Sequence, residues 1–106
     1  MKIQLLDSAQ QDIIDGFNFY ATTAGLGHYF LDSVYADIES LYLHYGIHSR
    51  HFGYYRLLAK RFPFAIYYKV EDVSIRIYAI LDCRQNPKSI CGRLAEKDSD
   101  PTGPDR

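Results

Sequence analysis

The stretch from Phe64 to Cys83 constrains the fold most, because two runs of alternating side chains lie on either side of Glu71 and Asp72. Alternation with a period of two is typical of β-strands, and two such runs around a short polar interruption predict a β-hairpin. With Glu71 and Asp72 as the turn, every pair on one face is apolar or aromatic, and the other face is mixed and polar. The predicted core pairs are Val70 with Val73, Tyr68 with Ile75, Ile66 with Ile77, and Phe64 with Ala79. The predicted outer face holds Ala65, Tyr67, Lys69, Ser74, Arg76 and Tyr78.

Two amphipathic helices are predicted ahead of this hairpin. The first follows a short apolar strand at residues 2–6, and the spacing of Ser8 and Gln11 is that of a capping box. Apolar side chains then recur at steps of three and four, which is typical of one buried helical face. They are Ala9, Ile13, Phe17, Tyr20 and Ala24 in the first helix, and Phe30, Val34, Ile38, Leu41 and Tyr45 in the second, widened by Leu31, Tyr35 and Tyr42. The break at residues 25–27 (GLG) makes the two helices antiparallel, so both stripes face one third layer.

Together these elements predict an α+β fold. A further strand is predicted over residues 54–60, ahead of Pro63, which is tolerated only at a strand start or an edge. The expected architecture is an N-terminal strand followed by an antiparallel two-helix hairpin packed on a small antiparallel sheet, in one domain over residues 1–95. Residues 96–106 (EKDSDPTGPDR) have nothing apolar to bury and are predicted to form a disordered tail.

The sequence argues against a membrane span, a signal peptide and a metal site. No apolar run reaches the roughly 18 residues of a membrane span, and the chain does not open on a signal peptide, so a cytoplasmic protein is expected. Cys83 and Cys91 lack the paired spacing of a zinc site and are expected to be reduced. His44, His48 and His51 are spaced like metal ligands, but they lie around a predicted helix end with no Cys or second carboxylate nearby. Neither a metal nor a cofactor is therefore expected.

Charge is distributed unevenly along the chain. Residues 1–49 contain one base and six acids, whereas residues 50–93 contain nine bases and three acids. The second half is expected to bind an acidic partner or a polyanion. The alternative is that these charges are only the solvated faces of separate helices and strands. The neighbouring acids of the helices are interpreted as solvated faces and not as catalytic pairs. They are Asp12 with Asp15, and Asp32 with Asp37.

The order of elements and several motifs resemble the RelE/ParE superfamily of toxins. The motifs are FY at residues 19–20, GLG at 25–27, FLDSV at 30–34, RLLAKRFPFAIYYKVE at 56–71 and IYAILDCRQNP at 77–87. The resemblance covers about nine-tenths of the chain in the right order, which is far more specific than a single short motif. It implies the toxin of a type II toxin–antitoxin pair, of the kind found in plasmid stabilisation systems, which inhibits growth unless a cognate antitoxin protein covers it.

The superfamily divides into branches with different targets. One branch cleaves messenger RNA in the ribosome without a metal, using basic side chains that in this chain match Arg56, Lys60, Arg61 and Arg84. This chain departs from that branch twice, because Ala65 stands where an Arg is expected and Ile90 stands near the proton-transfer residue. Losing a preorganised charge or a proton-transfer group costs about two to four orders of magnitude in rate. The departures favour the other branch, which binds DNA gyrase, and a binding protein over an enzyme.

Two binding surfaces are assigned from these patterns. The antitoxin is expected on the outer face of the hairpin, on Tyr67, Lys69, Arg76 and Tyr78, where charge and aromatic rings combine. The target is expected on the basic segment that follows the hairpin, namely Arg84, Lys88 and Arg93. The alternatives are a ribosome-dependent endoribonuclease and an inactive relative kept as an interaction module. The sequence does not decide the antitoxin family, the oligomeric state or whether this copy is toxic.

Overall fold

A five-stranded sheet carries the structure, with helices on both of its faces. The computed structural model describes the backbone of residues 1–98 and side chains as far as Ala95. The elements are β1 (Lys2–Leu5), α1 (Asp7–Ala24), α2 (Gly27–Glu39), α3 (Leu41–His44), β2 (Arg50–His51), β3 (Tyr54–Leu58), β4 (Phe64–Glu71), β5 (Ser74–Asp82) and α4 (Pro87–Asp98). Within the described part of the chain, no helix combines the length and apolar character needed to cross a membrane.

The sheet confirms the predicted α+β class and adds one parallel ladder. Its strand order is β1-β5-β4-β3-β2. Consecutive strands from β2 to β5 pair antiparallel, whereas β1 pairs parallel with β5, with Lys2 opposite Ser74. A parallel neighbour needs a long crossover, and α1 and α2 lie within the long connection between these strands. The sheet is therefore mixed, and the prediction of an antiparallel sheet holds for four of its five strands.

The helical hairpin forms as predicted and packs on the first face of the sheet. The stripe residues Ala9, Ile13, Phe30, Val34, Ile38 and Leu41 are at most 5% exposed. The helices approach closely at Gly16, where an added Cβ would lie 2.4 Å from Cζ of Phe30. Gly25 ends α1 with a φ of 67°, a conformation that costs glycine little. Close packing at Gly16 thus seats the Phe30 ring between the helices and the sheet.

Some details of the helices differ from prediction. Helix α1 begins at Asp7 with Leu6 at its N-cap and no side-chain cap, so the capping box at Ser8 does not form. The Ser8 hydroxyl instead donates to the carbonyl oxygen of Tyr78 at 3.5 Å. Tyr35, Tyr42 and Tyr45 are 45%, 54% and 39% exposed, and Ala24 is exposed as well, so both apolar stripes are narrower than expected.

The β4–β5 hairpin has a different register from the predicted one. Glu71 pairs with Ser74, so the turn is at Asp72 and Val73, with Asp72 at a φ of 53°. Aspartate tolerates this left-handed conformation better than most residues, which explains a two-residue turn without glycine. The ladder then passes from Tyr68 opposite Ile77 to Tyr67 opposite Ala79, so β5 contains one more residue than β4 there.

This irregularity reverses which side chains of β5 face the helical hairpin. Ile75 and Ile77 belong to the core under α1 and α2, whereas Ala79 belongs to a second core on the opposite face. The prediction that Ala79 joins the first core is therefore wrong. The extra residue of a β-bulge shifts the two-residue period by one, which moves the following side chains to the other face.

Helix α4 covers this second face, where the sequence pattern predicts an exposed, mixed polar surface. Its Ile90 and Leu94 are 6% and 1% exposed and pack on strand residues of the second core. Those strand residues are Tyr54, Ala65, Tyr67, Ala79 and Leu81. The helix extends to Asp98, and the disordered tail predicted from Glu96 onwards stays a prediction. The rest of that prediction, residues 99–106, lies outside the described residues.

Candidate protein-interaction surface

Three of the four residues predicted to bind an antitoxin lie together at the open end of the second face. Lys69 Nζ is 4.7 Å from the ring centroid of Tyr54 and 5.5 Å from that of Tyr78. The Arg76 guanidinium lies 5.9 Å from the centroid of the same Tyr78 ring. This patch combines cationic groups with the half-buried ring of Tyr78, beside the fully buried ring of Tyr54, which suits an acidic partner with apolar side chains.

Glu71 holds the patch in place. It accepts a hydrogen bond from Arg76 Nη1 at 3.2 Å and another from the Tyr78 hydroxyl at 3.3 Å. Both ionised side chains of the Arg76 and Glu71 pair are more than one-third exposed, so the pair contributes little to stability. The effect of this pair is to hold the Arg76 side chain of β5 against Glu71 of the neighbouring strand β4.

Tyr67 does not belong to this surface, and its predicted role as an exposed contact is wrong. It is 2% exposed, because Ile90 and Leu94 of α4 cover it. Burial raises the pKa of Tyr67, and a hydrogen bond with Arg56 on the neighbouring strand lowers it in part. The alternating pattern of β4 predicts an outer, mixed polar face at Tyr67, and α4 buries that face instead.

The predicted target-binding residues are divided between a surface and an interior ion pair. Arg84 and Lys88 are exposed. Arg84 donates from Nε and Nη2 to the two carboxylate oxygens of Asp82, at 2.9 and 2.6 Å, and these hydrogen bonds lower the pKa of Asp82. Arg93 instead points into the protein and joins α4 to α1 through Asp12. Arg93 is therefore a structural residue in this arrangement and does not extend the basic surface.

Asp12 connects three elements. Its Oδ2 accepts from Arg93 Nη2 at 2.8 Å and from the backbone N–H of Ile80 at 2.9 Å. Its side chain is 10% exposed. The interpretation of the helix acids as solvated is therefore wrong for Asp12, and also for Asp37, which is 5% exposed and accepts from the N–H of Lys60 at 3.2 Å. It is correct for Asp15 and Asp32, which are exposed.

The residues matched to a ribonuclease site do not converge on one pocket. Lys60 and Arg61 are exposed in the connection between β3 and β4, and Arg84 is bound to Asp82. Arg56 is half-buried beside Tyr67 and Cys83, and burial raises the pKa of the Cys83 thiol. The two departures, Ala65 and Ile90, both lie in the apolar core under α4. The described residues include no group of three or more His, Cys, Asp or Glu that could hold a metal ion.

Sequence reasoning missed an exposed apolar segment between α2 and β3. Residues 42–53, here called the loop segment, contain five large apolar or aromatic side chains that are at least 39% exposed. They are Tyr42, Leu43, Tyr45, Ile47 and Phe52. The absence of any acid between Glu39 and Glu71 was visible in the sequence, but exposure was not.

The buried Tyr68 anchors the loop segment to the sheet. Its hydroxyl accepts a hydrogen bond from the N–H of Gly46 at 2.9 Å and lies 2.5 Å from Nδ1 of His48. The Tyr68 hydroxyl can therefore donate its one proton to Nδ1 of His48. This arrangement suits a neutral imidazole that carries no proton on Nδ1. Burial lowers the pKa of His48, and the neighbouring His44 lowers it further.

This pKa shift predicts a loss of stability in mild acid. His48 has an ordinary pKa of 6.5 and a lower one in the folded protein, so the unfolded chain binds the proton first. Its contribution is fully present above about pH 6.5 and is lost as the pH falls toward the folded value. We expect the melting temperature of the wild type to fall more steeply from about pH 7 to pH 5 than that of His48→Asn. Above pH 7 the two curves should run parallel, and equal slopes throughout would show that His48 does not contribute.

Comparison with known proteins relates this chain to one solved toxin–antitoxin structure by its fold. No family model and no curated protein sequence matches the chain. A chain of the solved chromosomal ParDE TA system from P. aeruginosa superimposes with a TM-score of 0.69 at 20% sequence identity. The match covers 76% of this chain and 92% of that one. At this identity the likeness establishes a shared fold, and it agrees with the architecture expected from the sequence motifs.

Proposed function

We propose that this chain is the toxin of a type II toxin–antitoxin module, neutralised in the cytoplasm by a cognate antitoxin, and that it inhibits growth by binding a protein target. The fold shared with a chain of a ParDE system supports the first part. The motif resemblance and the basic, aromatic patch around Lys69, Arg76 and Tyr78 support a protein partner. DNA gyrase is the proposed target, and a role in plasmid stabilisation is part of the same proposal.

One observation carries the choice of binding over RNA cleavage. Ala65 is fully buried and Ile90 is 6% exposed, and both pack in the second core with Leu94 and Tyr67. The two positions at which the ribonuclease branch places a cation and a proton-transfer group are therefore filled by apolar side chains in the core between α4 and the sheet. Metal-independent phosphodiester cleavage needs both kinds of group held at the scissile bond.

The patch at the open end of the second face is the proposed antitoxin contact. Arg76 is aimed along the sheet by Glu71, and Lys69 lies over two tyrosine rings. An acidic, amphipathic segment placed there gains charge complementarity and apolar contact together. Arg84 and Lys88, exposed beyond the end of β5, are the proposed target contacts.

The endoribonuclease is kept as a second candidate because two of the matched bases act electrostatically on the same thiol. The positive charges of Arg56 and Arg84 each lower the pKa of Cys83, although burial raises that pKa more. Both charges would attract an RNA phosphate bound near Cys83. The inactive relative is the third candidate, and it predicts no growth arrest at all.

Induced expression with primer-extension mapping separates these candidates. We expect growth arrest, no codon-linked cuts in messenger RNA, and DNA damage that excess gyrase subunits relieve by mass action. Discrete cuts that disappear in Arg84→Ala would replace the proposal with the endoribonuclease. Arrest without cuts or DNA damage would exclude gyrase, and absence of arrest would favour the inactive relative. Coexpression of the neighbouring open reading frame should restore growth.

A further inference from the structure

One phenol oxygen holds the middle of the loop segment on the sheet. Tyr68 of β4 is fully buried, and its hydroxyl contacts both the N–H of Gly46 and Nδ1 of His48. The His48 ring stands edge-on to the Tyr68 ring, with centroids 5.6 Å apart, and the Tyr55 ring stacks on Tyr68 at 5.2 Å. Two residues of the loop segment therefore depend on a single side chain whose position is fixed by the core.

The hydrogen-bonding roles at this oxygen depend on the protonation of His48. A phenol has one proton to donate, and the backbone N–H of Gly46 can only donate. While His48 is neutral with its proton on Nε2, the phenol donates to Nδ1 and accepts from Gly46, so every group has a partner. When the imidazole takes up a second proton, Nδ1 becomes a donor as well, and the phenol proton loses its acceptor. A buried hydroxyl without an acceptor destabilises the arrangement that contains it.

The groups around His48 disfavour its charged form. Burial lowers the pKa of His48, and the neighbouring His44 at the end of α3 lowers it further. Arg50 of β2 adds a permanent positive charge 4.9 Å from the centroid of the Tyr55 ring, and His51 of the same strand is hydrogen-bonded within the loop segment. Within the part of the chain that the structure describes, no carboxylate is among the groups that shift the pKa of His48. An imidazolium at this position therefore has no anion to stabilise it.

The loop segment has little burial of its own to keep it closed. Residues 42–53, all of which the structure describes, contain no buried side chain. Its strand β2 lies at the edge of the sheet and pairs with β3 over two residues, next to a hydrogen bond of 2.9 Å from the N–H of Arg56 to the carbonyl oxygen of Ser49. Segments with few buried apolar contacts open locally at a lower free energy than the core. Loss of the bonds to Tyr68 therefore opens the loop segment before the sheet.

We propose that Gly46, His48 and Tyr68 form a pH-sensitive switch, which holds the loop segment on the sheet while His48 is neutral and releases it when His48 is protonated. In the released form the Tyr68 ring stays in the core, and water replaces His48 as the acceptor for its hydroxyl. The opening is local, so the loss of stability in mild acid ends once the loop segment is released, because the freed imidazole then titrates as it does in the unfolded chain. This inference is independent of the proposed function.

Amide hydrogen exchange, followed by NMR and corrected for the intrinsic exchange rate at each pH, tests the switch. We expect the protection of the Gly46 N–H to fall by roughly threefold or more between about pH 7.5 and about pH 5. The amides of Ile66 and Ile75, which are fully buried in the central strands, should keep their protection. His48→Asn should abolish the fall, because its side-chain oxygen accepts the phenol proton at both pH values. His28→Asn, which changes an exposed histidine on α2, is the matched control and should show the wild-type fall.

The nitrogen shifts of the His48 ring give an independent measurement. At about pH 7.5 they should show a neutral ring with its proton on Nε2. A proton on Nδ1 at that pH would overturn the inference, as would a Gly46 amide equally protected at both pH values, or a fall in protection that persists in His48→Asn. If Ile66 and Ile75 lose protection in parallel with Gly46, the protein unfolds as a whole in acid and there is no local switch.

Discussion

Replacing Phe30 by alanine is expected to lower the free energy of unfolding by about 3–5 kcal/mol, the usual cost of removing a buried aromatic ring. Phe30 is fully buried and stacks on Tyr20 with ring centroids 5.2 Å apart. Its ring also meets those of Phe62 and Phe64 edge-on, each at 5.2 Å. The loss therefore includes aromatic contacts between the helical hairpin and the sheet, beyond the transfer of one side chain to water. Urea denaturation measures this loss in the free energy of unfolding, provided that the m-value is the same for both proteins.

A second substitution tests whether the Phe30 ring is what leaves no room for a side chain at Gly16. In the wild type, Gly16→Ala should destabilise by roughly 1–3 kcal/mol, because its Cβ would overlap the Phe30 ring. In the Phe30→Ala background the same change should stabilise, since it enters the vacated space and improves helix propensity by up to about 1 kcal/mol. Ile14→Ala, at a position that is 50% exposed, is the control and should cost little. Additive effects of Gly16→Ala and Phe30→Ala would contradict this packing.

Removing the Asp12 carboxylate is expected to cost roughly 2–4 kcal/mol, because a half-buried cation and a backbone donor both lose their acceptor. The Arg93 side chain is 28% exposed, so water only partly replaces the lost partner. The N–H of Ile80 loses a hydrogen bond of 2.9 Å. Asp12→Ala should therefore lower the melting temperature markedly and loosen α4 before the rest of the chain, as measured by hydrogen exchange.

Two variants separate charge from hydrogen bonding at this position. Asp12→Asn retains an oxygen acceptor for Ile80 but loses the ionic contact with Arg93, so it should lie between the wild type and Asp12→Ala. Asp15→Ala removes an exposed carboxylate that accepts a hydrogen bond from Gln11 on the same helix, and it should change stability by less than about 0.5 kcal/mol. If Asp15→Ala costs as much as Asp12→Ala, the connection of α1 to α4 is not what stabilises the fold.

The parts of the fold that the sequence predicted well are those governed by local periodicity. The spacing of Ala9, Ile13, Phe30, Val34 and Ile38 follows the geometry of the α-helix, and all five side chains are buried. Gly25 and Gly27 fix the turn between the helices for steric reasons that are also local. Such features need no knowledge of distant parts of the chain.

The hairpin register could not be predicted because it depends on competing choices of similar local energy. A turn at Glu71 and Asp72 and a turn at Asp72 and Val73 both place a polar residue at the tip, and only the second occurs. The one-residue irregularity opposite Tyr67 and Tyr68 has no marker such as glycine in β5. Packing on both faces of the sheet decides these positions.

The candidate site was misjudged where α4 was missed. Residues 87–98 have low mean apolar content, and Ile90 and Leu94 are spaced by a single helical turn, too short a pattern to indicate a buried helix. Without that helix, Tyr67 was assigned to the surface and Arg93 to a partner. Lys69, Arg76 and Tyr78 do lie together, with Tyr78 half-buried at the edge of the second core, and their role as an antitoxin contact stays a prediction.

The parallel pairing of β1 with β5 has a consequence for the order of assembly during synthesis. Lys2 lies opposite Ser74 and Leu5 opposite Ile77, so β1 leaves the ribosome 72 residues ahead of the strand with which it pairs. Contacts so far apart in sequence slow folding, because a long loop must close before they form. Until then the nascent chain carries a helical hairpin whose apolar stripe has no sheet to cover it. Such exposed intermediates aggregate readily, so the growing chain depends on rapid synthesis of β5 or on protection until that strand is made.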